Sequence, residues 1–155
     1  MIKLIVKFIE MEETEFEQFK SYLIEAYAKD MIDTGFWDKN EAVSRAIEET
    51  ERLLPNGVKT EGHKLMSIYD QDKKVGYIWF EIRQKKDAYI WDFLIFKEFR
   101  GKGYGKESLK SLEQYCKKYD VPKISLNVFG NNEIAIELYK KIGYRVIAMT
   151  MAKDL

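Results

Sequence analysis

The stretch Arg100-Gly101-Lys102-Gly103-Tyr104-Gly105-Lys106 is the part of the sequence that decides the fold. It follows an apolar run over residues 88–96 and precedes residues with helical spacing. Alternating glycines let the backbone approach a ligand closely and adopt positive φ angles. The first N–H groups of the following helix have no partners inside it, so a turn here favours phosphate oxygens. The cationic side chains of Arg100, Lys102 and Lys106 strengthen this prediction.

The two most familiar phosphate-binding motifs do not fit this turn. A P-loop requires Ser or Thr directly after its Gly-Lys pair, but Lys106 is followed by Glu107. A dinucleotide-binding fingerprint requires a third glycine where this chain has Lys106, and it stands near the start of a βαβ unit. The residues therefore leave the phosphate ligand to be identified from the rest of the chain.

A second block, Asn132 to Tyr144, follows a strand-like segment over residues 123–128. It carries an asparagine, an alanine, a Leu-Tyr pair and a Gly-aromatic pair in that order. Together with the Arg-x-x-Gly-x-Gly pattern of the turn, this block resembles the two signatures of the GNAT family of N-acetyltransferases. The resemblance covers about residues 75–144 and is closest to a bacterial subgroup of these enzymes.

The resemblance implies a cosubstrate, a fold and a set of binding residues. In the family, the turn binds the diphosphate of acetyl-coenzyme A, and pantetheine pairs with the exposed edge of a central strand. Here that edge is Phe93 to Ile95, where backbone groups would make the contacts. Asn132 stands where the family's asparagine meets the coenzyme or caps the helix. The residues expected to bind the coenzyme are Phe93, Leu94, Ile95, Arg100, Gly101, Lys102, Gly103, Tyr104, Gly105, Lys106 and Asn132.

Apolar periodicity predicts a mixed α/β chain with the order β-α-α-β-β-β-α-β-α-β. This order agrees with the GNAT fold, a central mixed, mostly antiparallel sheet with splayed central strands flanked by helices. We expect one such domain over residues 1–155. The predicted strands span residues 2–9, 65–69, 75–82, 88–96, 123–128 and 145–151, and the predicted helices span 15–28, 40–54, a segment from the glycine turn to 119, and 132–142.

Local signals predict several helix ends and faces. Asn40 is placed to cap the second helix, and Gly143 is placed to end the last one. The side chains expected to share one face of the second helix are Val43, Ala46, Ile47 and Leu54. Those expected to face inward from the helix after the glycine turn are Leu109, Leu112, Tyr115, Cys116 and Tyr119.

The composition limits the class of protein. The 155 residues are 46% apolar and 34% charged, and no apolar run is long enough for a membrane span. A single cysteine suits the cytoplasm, and a single histidine argues against a histidine-based metal site. Residues 1–62 hold 14 acidic and 8 basic side chains, whereas residues 63–155 hold 12 and 18. This asymmetry would steer an amine towards the first half and phosphates towards the second. Solvated helix faces are the alternative, and they are the preferred explanation for most of the individual charges.

Acetyl transfer needs a base for the amine's proton and an acid for the departing thiolate. The resemblance places the hydroxyl of Tyr139 beside the coenzyme's sulfur, which makes Tyr139 the predicted acid; core packing is the alternative. Asp92 is the predicted base, because it is the only charge in an apolar run and burial would raise its pKa. A structural hydrogen-bonding role is the alternative for Asp92, and Glu81 is the second candidate base.

Other polar residues are weaker candidates. Cys116 is expected to be a buried apolar side chain rather than a nucleophile, and His63 is not expected to be catalytic. Phe36 and Trp37 either line the acceptor pocket or pack on the core. Some family members carry a glutamate at the position of Asn127, and because an amide cannot act as a base, this departure argues against the subgroup that acetylates ribosomal-protein N-termini.

We expect a cytoplasmic enzyme that transfers an acetyl group from acetyl-coenzyme A to a primary amine, directly within a ternary complex. The acceptor is expected to be a small-molecule or peptide amine. Two alternatives stay open: a non-catalytic sensor or regulatory module that binds coenzyme A, and a transferase of a longer acyl group. No metal, nucleic-acid or membrane partner is expected, and a homodimer stays open.

Overall fold

The computed structural model of this chain describes residues 3–84 and 86–155. Its strands are β1 (Lys7–Glu10), β2 (His63–Asp70), β3 (Lys73–Arg83), β4 (Asp87–Ile95) and β5 (Ile124–Leu126). Its α-helices are α1 (Glu13–Asp33), α2 (Ala42–Leu53), α3 (Tyr104–Lys118) and α4 (Glu133–Lys141). Two short 3₁₀ turns cover Gly57–Lys59 and Lys97–Phe99.

The five strands form one sheet in the order β1-β2-β3-β4-β5. The first three pairings are antiparallel and the last, between β4 and β5, is parallel. The parallel pairing follows from the crossover through α3, because parallel neighbours cannot be joined by a tight hairpin. The sheet is therefore mixed and mostly antiparallel, and the fold class predicted from the sequence is confirmed.

Helices cover both faces of the sheet. Phe16, Phe19 and Leu23 of α1 pack with Tyr77 and Trp79 on one face. On the other face, α3 packs Leu109, Leu112 and Cys116 against a second set of buried strand residues. Residues that pack with α1 and residues that pack with α3 alternate along β3, as expected for a strand covered on both sides.

A glycine in β3 permits the close approach of β4. A Cβ atom added to Gly76 would lie 2.1 Å from the carbonyl oxygen of Leu94, a separation that no side chain tolerates. The strands can therefore pair through Gly76 and Ile95 only because position 76 lacks a side chain. This pairing sets the position of the end of β4.

The strands β4 and β5 separate towards the carboxyl end of β4. Their pairing ends at Ile90 and Leu126, whereas β4 continues to pair with β3 as far as Ile95. A bulge at Trp91 shifts the β3–β4 register at the same place, since Asp92 pairs with Trp79 and Ile90 pairs with the next residue, Phe80. The separation of β4 from β5 that the family resemblance implies is thus present.

Several boundaries in the first half differ from prediction. The strand predicted over 2–9 is Lys7–Glu10, and residue 2 lies outside the described residues. The first helix extends to Asp33, so the predicted loop from residue 30 is shorter. The cap of α2 is Glu41 rather than Asn40, and it makes no side-chain cap hydrogen bond. Helix ends without a strong capping side chain are poorly marked in a sequence.

The predicted inward faces of two helices need correction. In α2, Ala42, Ala46 and Thr50 are buried, whereas Val43 and Ile47 are exposed. The helix is therefore rotated towards its small side chains, which let it approach α1 closely. In α3, Leu109, Leu112 and Cys116 are buried as predicted, but Tyr119 lies at the helix end and is 52% exposed.

The strand predicted over residues 145–151 is wrong. After Gly143, whose φ of 103° ends α4 as predicted, the chain has no regular secondary structure and pairs with no strand among the described residues. Its apolar side chains are exposed, including Ile147 at 68% and Met149 at 76%. The sequence pattern is typical of a strand, but the pattern alone cannot supply a pairing partner.

Candidate active site

A cavity of about 300 Å³ opens where β4 and β5 separate. Helices α1, α2 and α4 supply part of its wall, and the residues after β5 supply another part. Its lining residues are Tyr22, Leu23, Ala26, Tyr27, Asp30, Glu49, Thr50, Leu53, Trp79, Tyr89, Ile90, Trp91, Asp92, Phe93, Leu126, Asn127, Val128, Phe129, Asn132, Ala135 and Tyr139. The structure therefore brings Asp92, Phe93, Asn132 and Tyr139 together from the predicted site residues.

Asp92 presents a buried carboxylate to this region. Its Oδ2 atom is buried and has no hydrogen-bond partner among the described residues. Burial raises the pKa of Asp92 to about 7, the negative charge of Asp30 adds to the rise, and a backbone hydrogen bond at Phe93 opposes it. A carboxylate with this pKa exchanges a proton near neutral pH, as a general base must.

Tyr139 lies on α4 and lines the same cavity. Its ring packs edge-to-face on Tyr144, with ring centroids 5.3 Å apart. Burial, and secondarily the charge of Asp92, raise the pKa of Tyr139 to about 12. The phenol therefore stays protonated at neutral pH and can donate a proton.

The cavity wall combines carboxylates with aromatic rings. Asp30 and Glu49 line it together with Asp92, and no lysine or arginine is among its described lining residues. Burial raises the pKa of Asp30, although the neighbouring Lys29 opposes this shift. Burial and the charges of Asp92 and Asp30 raise the pKa of Tyr22 to about 12. An acidic wall with aromatic faces suits a cationic ligand.

The glycine turn lies beyond the end of β4 and leads into α3. Gly101 and Gly103 have positive φ angles of 75° and 94°, and Gly103 is the N-cap residue directly before α3. Within the described residues, no hydrogen-bond acceptor is found for the backbone N–H groups of residues 101–106. The turn thus exposes a set of free donors at a helix start, as an anion site requires.

Side chains in the turn have different roles. Arg100 Nε donates to the carbonyl oxygen of Ile95 at 2.8 Å, which fixes the turn against the end of β4. Lys102 and Lys106 are exposed. The side chain of Tyr104 is buried in the core and its hydroxyl donates to Asp70, so only its backbone faces the turn. Gly105 has no positive φ; an added Cβ would lie 3.3 Å from Leu138 of α4, so this glycine permits close helix packing.

Glu81 lies outside the cavity lining. Its Oε1 accepts a hydrogen bond from Trp91 Nε1 at 3.0 Å, and its Oε2 lies 3.5 Å from His63 Nε2. His63 Nδ1 in turn accepts from Trp79 Nε1 at 2.9 Å, and burial lowers the pKa of His63. Because Trp79 and Trp91 both line the cavity, Glu81 and His63 hold two of its walls in place. Geometry therefore favours Asp92 over Glu81 as the base.

The other candidates are also placed by the structure. Asn132 caps α4 by accepting from the N–H of Ala135 at 3.2 Å, and it also lines the cavity. Trp37 is buried against α1 and α2, whereas Phe36 is 56% exposed, and neither lines the cavity. Cys116 is buried, and burial raises the pKa of its thiol to about 11, which makes it a poor nucleophile.

Sequence reasoning missed the wall that α1 and α2 supply. Tyr22, Ala26 and Asp30 lie one helical turn apart on one face of α1, and all three line the cavity. The spacing is visible in the sequence, but the predicted helix ends at residue 28 and does not include Asp30. The sequence carries no comparable signal for Glu49, because the apolar spacing predicts an inward face of α2 that does not include it.

Over residues 3–84 and 86–155, no group of three or more His, Cys, Asp or Glu side chains is arranged to hold a metal ion. No described helix is both long and apolar enough to cross a membrane.

Comparisons with known proteins show the family to which the chain is similar. The profile of the acetyltransferase (GNAT) family matches residues 15–144. The uncharacterized N-acetyltransferase YdgE of Bacillus subtilis is 32% identical over 150 residues, which cover 94% of this chain and 96% of YdgE. The crystal structure of YycN from Bacillus subtilis superposes with a TM-score of 0.92 at 30% identity, covering 97% of this chain and 98% of YycN.

A further relative has a named substrate. The spermine/spermidine N(1)-acetyltransferase of Bacillus subtilis is 36% identical over 107 residues, which cover 64% of this chain and 70% of that enzyme. Because the family profile matches most of the chain, and a relative 32% identical aligns with 94% of it, this chain belongs to the acetyltransferase (GNAT) family.

Proposed function

We propose that this protein transfers an acetyl group from acetyl-coenzyme A to a cationic primary amine, directly within a ternary complex. The observation that carries the proposal is the pairing, in one cavity, of a buried carboxylate that titrates near neutrality with a protonated phenol, Asp92 and Tyr139. Groups whose pKa values are set apart in this way are suited to acid and base roles in one reaction.

The coenzyme would be held along the opening between β4 and β5. The free N–H groups of residues 101–106 would bind its diphosphate, with Lys102 and Lys106 adding charge. An added Cβ at Gly101 meets nothing within 4 Å, so the turn has room for a bulky anion. Among residues 3–84 and 86–155, the edge of β4 beyond Ile90 has no strand partner on the β5 side, and it would pair with the pantetheine amides. The N–H groups of the turn and the open edge of β4 therefore both fit the coenzyme.

Asp92 would accept the amine's proton. An alkylamine with a pKa near 10.4 is mostly protonated at pH 7, and forming its neutral state costs roughly 4.6 kcal/mol. The ammonium would first lose one proton to solvent, which frees its lone pair for attack. A carboxylate with a pKa of about 7 is half ionised at pH 7 and can take the second proton as the new N–C bond forms. The carboxylates of Asp30 and Glu49 would attract the incoming cation.

Tyr139 would protonate the leaving group. As the C–S bond breaks, the coenzyme's sulfur leaves as a thiolate and takes the phenolic proton. The pKa of about 12 keeps that proton on Tyr139 until the sulfur develops charge. The pair would return to its starting state when Asp92 passes a proton to solvent and Tyr139 regains one.

The acceptor is proposed to be a small molecule with more than one amino group. Asp30, Glu49 and Asp92 give the cavity more negative charge than a single ammonium needs. The aromatic residues Tyr22, Tyr27 and Trp91 would cover the methylene groups between the charges. The likeness to a spermine/spermidine acetyltransferase supports the same class of acceptor.

The test is thiol release from acetyl-coenzyme A with a panel of acceptors. The panel contains a polyamine, a monoamine of equal length, a peptide with a free N-terminus and the matching alcohol. Polyamine-dependent release with formation of acetylated polyamine supports the proposal, whereas release with none of the amines contradicts it. Asp30→Asn should raise KM for the polyamine more than for the monoamine. Asp33→Asn, on the same helix but outside the cavity lining, should change neither KM.

A further inference from the structure

Two stacked tryptophans form one wall of the cavity. The indole rings of Trp79 on β3 and Trp91 on β4 have centroids 5.6 Å apart and planes inclined by 24°, and both residues line the cavity. Trp91 is the residue at the bulge, so it has no partner of its own in the β3–β4 register. A side-chain contact is therefore needed to hold its ring against that of Trp79.

One chain of polar contacts fixes both indole N–H groups. Trp91 Nε1 donates to Oε1 of Glu81 at 3.0 Å, and Trp79 Nε1 donates to Nδ1 of His63 at 2.9 Å. The Nε2 atom of His63 lies 3.5 Å from Oε2 of Glu81. Glu81 thus holds one indole directly and the other through His63.

Donor and acceptor chemistry determines the protonation of this chain of contacts. An indole N–H can only donate, so Nδ1 of His63 must be unprotonated and the imidazole proton must be on Nε2. That proton faces Glu81, whose carboxylate accepts at both oxygens. Burial lowers the pKa of His63, which agrees with a neutral ring. Glu81→Gln would leave only one accepting oxygen, so one N–H group would face a second donor.

The outer end of the aromatic stack is occupied by a cation of the chain itself. Tyr89 packs edge-to-face on Trp91 with centroids 4.7 Å apart, and the guanidinium carbon of Arg83 lies 4.4 Å from the centroid of the Tyr89 ring. Asp87 holds this guanidinium through two hydrogen bonds. The indole surfaces on the cavity side are therefore the part of the stack that is left for a ligand.

We propose that Glu81 and His63 are positioning residues for the acceptor, because they hold the two indoles in the stacked arrangement on which the acceptor's methylene groups pack. This inference rests on the proposed function, since it names the residues that shape the acceptor part of that site. Neither residue lines the cavity, so both would act through the indoles rather than on the acceptor itself. The stack contributes burial of apolar surface against aromatic faces. Loss of either residue should therefore weaken acceptor binding and leave the chemistry at Asp92 in place.

The first test measures KM and kcat of Glu81→Gln for the polyamine of the acceptor panel at saturating acetyl-coenzyme A. KM should rise at least about tenfold, the effect expected when a charge-assisted hydrogen bond loses its acceptor. The value of kcat should change by less than about threefold, as for a change in binding alone. Glu61→Gln removes the same charge from an exposed side chain near His63 and should change neither constant. An unchanged KM in Glu81→Gln overturns the proposal, as does a large loss of kcat at unchanged KM, which would make Glu81 a catalytic residue.

A matched pair of variants at position 63 tests the same contacts from the other indole. His63→Asn keeps an accepting oxygen near the place of Nδ1, whereas His63→Leu removes the acceptor of Trp79 Nε1. KM should therefore stay closer to the wild-type value in His63→Asn than in His63→Leu. In circular dichroism, the exciton signal of the stacked indoles should persist in the first variant and weaken in the second. Equal KM values and equal signals for the two variants overturn the proposal.

The wild-type protein allows a measurement that needs no variant. Trp79 and Trp91 line the cavity and Trp37 does not, so binding of the polyamine should change the tryptophan emission. Unchanged emission at a polyamine concentration that saturates turnover overturns the proposal. Turnover of none of the amines overturns the proposed function and this inference with it, whereas wild-type turnover with an unchanged KM in Glu81→Gln overturns the inference alone.

Discussion

Asp92 on β4 and Tyr139 on α4 line one cavity, and the charge of Asp92 contributes to the raised pKa of Tyr139. The two residues stand 47 positions apart in the sequence and on different elements. What joins them is the separation of β4 from β5, since the cavity opens where the pairing of those strands ends at Ile90. A carboxylate and a phenol with raised pKa values are thereby held at one opening.

Tyr139→Phe should lower kcat at least about tenfold while leaving coenzyme affinity nearly unchanged, since general acid catalysis typically contributes 10²–10⁴-fold. The ring and its packing remain, and only the donating hydroxyl is lost. Steady-state kinetics with an identified acceptor measure kcat, and equilibrium binding measures the affinity.

The matched control for Tyr139→Phe is Tyr144→Phe. The Tyr144 hydroxyl is buried without a partner among the described residues, and its ring contacts Tyr139 without lining the cavity. Removal of the Tyr144 hydroxyl should leave kcat unchanged. Equal kcat values for the wild type and Tyr139→Phe, with chemistry shown to be rate-limiting, would return Tyr139 to a packing role.

Gly101→Val should weaken acetyl-coenzyme A binding by at least about tenfold, because a side chain would occupy the space beside the free N–H groups and disfavour the positive φ. Gly35→Val is the control. Gly35 has a φ of 80°, close to the 75° of Gly101, and an added Cβ at either position meets nothing within 4 Å. Both variants therefore carry similar backbone strain, and only the first should lose affinity by calorimetry. Equal affinities would remove the turn from the binding site.

Gly76→Ala should destabilise the fold by at least about 2 kcal/mol, since a clash in a packed interior is among the few causes of large losses. The added Cβ would meet the Leu94 carbonyl oxygen at 2.1 Å, and the strands would have to separate. Thermal or urea unfolding measures the loss. Gly130→Ala, where an added Cβ meets nothing within 4 Å, should be close to neutral. A Gly76→Ala protein as stable as the wild type would show that the two strands are not held this close.

Asp92→Asn should change stability in a pH-dependent way. The folded-state pKa of Asp92 is about 7, above its ordinary value of 3.8, so ionising it costs folding free energy. This cost is absent below pH 3.8, grows between pH 3.8 and 7, and is fully present above pH 7. The stability of the variant relative to the wild type should therefore be greater at pH 8 than at pH 5, by an amount on the order of a few kcal/mol in unfolding free energy. The melting temperatures of both proteins at the two pH values measure this change. A pH-independent difference would contradict the raised pKa.

The sequence predicted the elements from β4 to α4 more closely than the first two helices and the segment after α4. The glycine turn and the block from Asn132 to Tyr144 are short, ordered patterns tied to backbone geometry, and the structure places them at the open edge of β4. Asp92 was identifiable because a charge in an apolar strand requires an explanation. These signals are local, and local signals are readable without knowing the packing.

The remaining features depend on packing between distant elements. Glu81 could not be assigned from the sequence, because its role follows from Trp91 Nε1 donating to it across two strands. The buried face of α2 is set by the approach of its small residues to α1. The residues after Tyr144 have the apolar pattern of a strand. Whether they form one depends on a partner strand with an open edge, and the pattern of the segment does not identify that partner.

The most direct test of the proposed chemistry is the pH dependence of kcat/KM for the wild type and Asp92→Asn with the same polyamine. A base must be unprotonated, so wild-type kcat/KM should fall as pH drops below about 7, the pKa of Asp92 in the free enzyme. The acceptor's own ionisation adds a rise with pH that both proteins share. Asp92→Asn should keep that shared rise, lose the inflection near pH 7 and be at least about a hundredfold slower at pH 8. An Asp92→Asn enzyme with wild-type kcat/KM and the same inflection near pH 7 would contradict the role of Asp92 as the base.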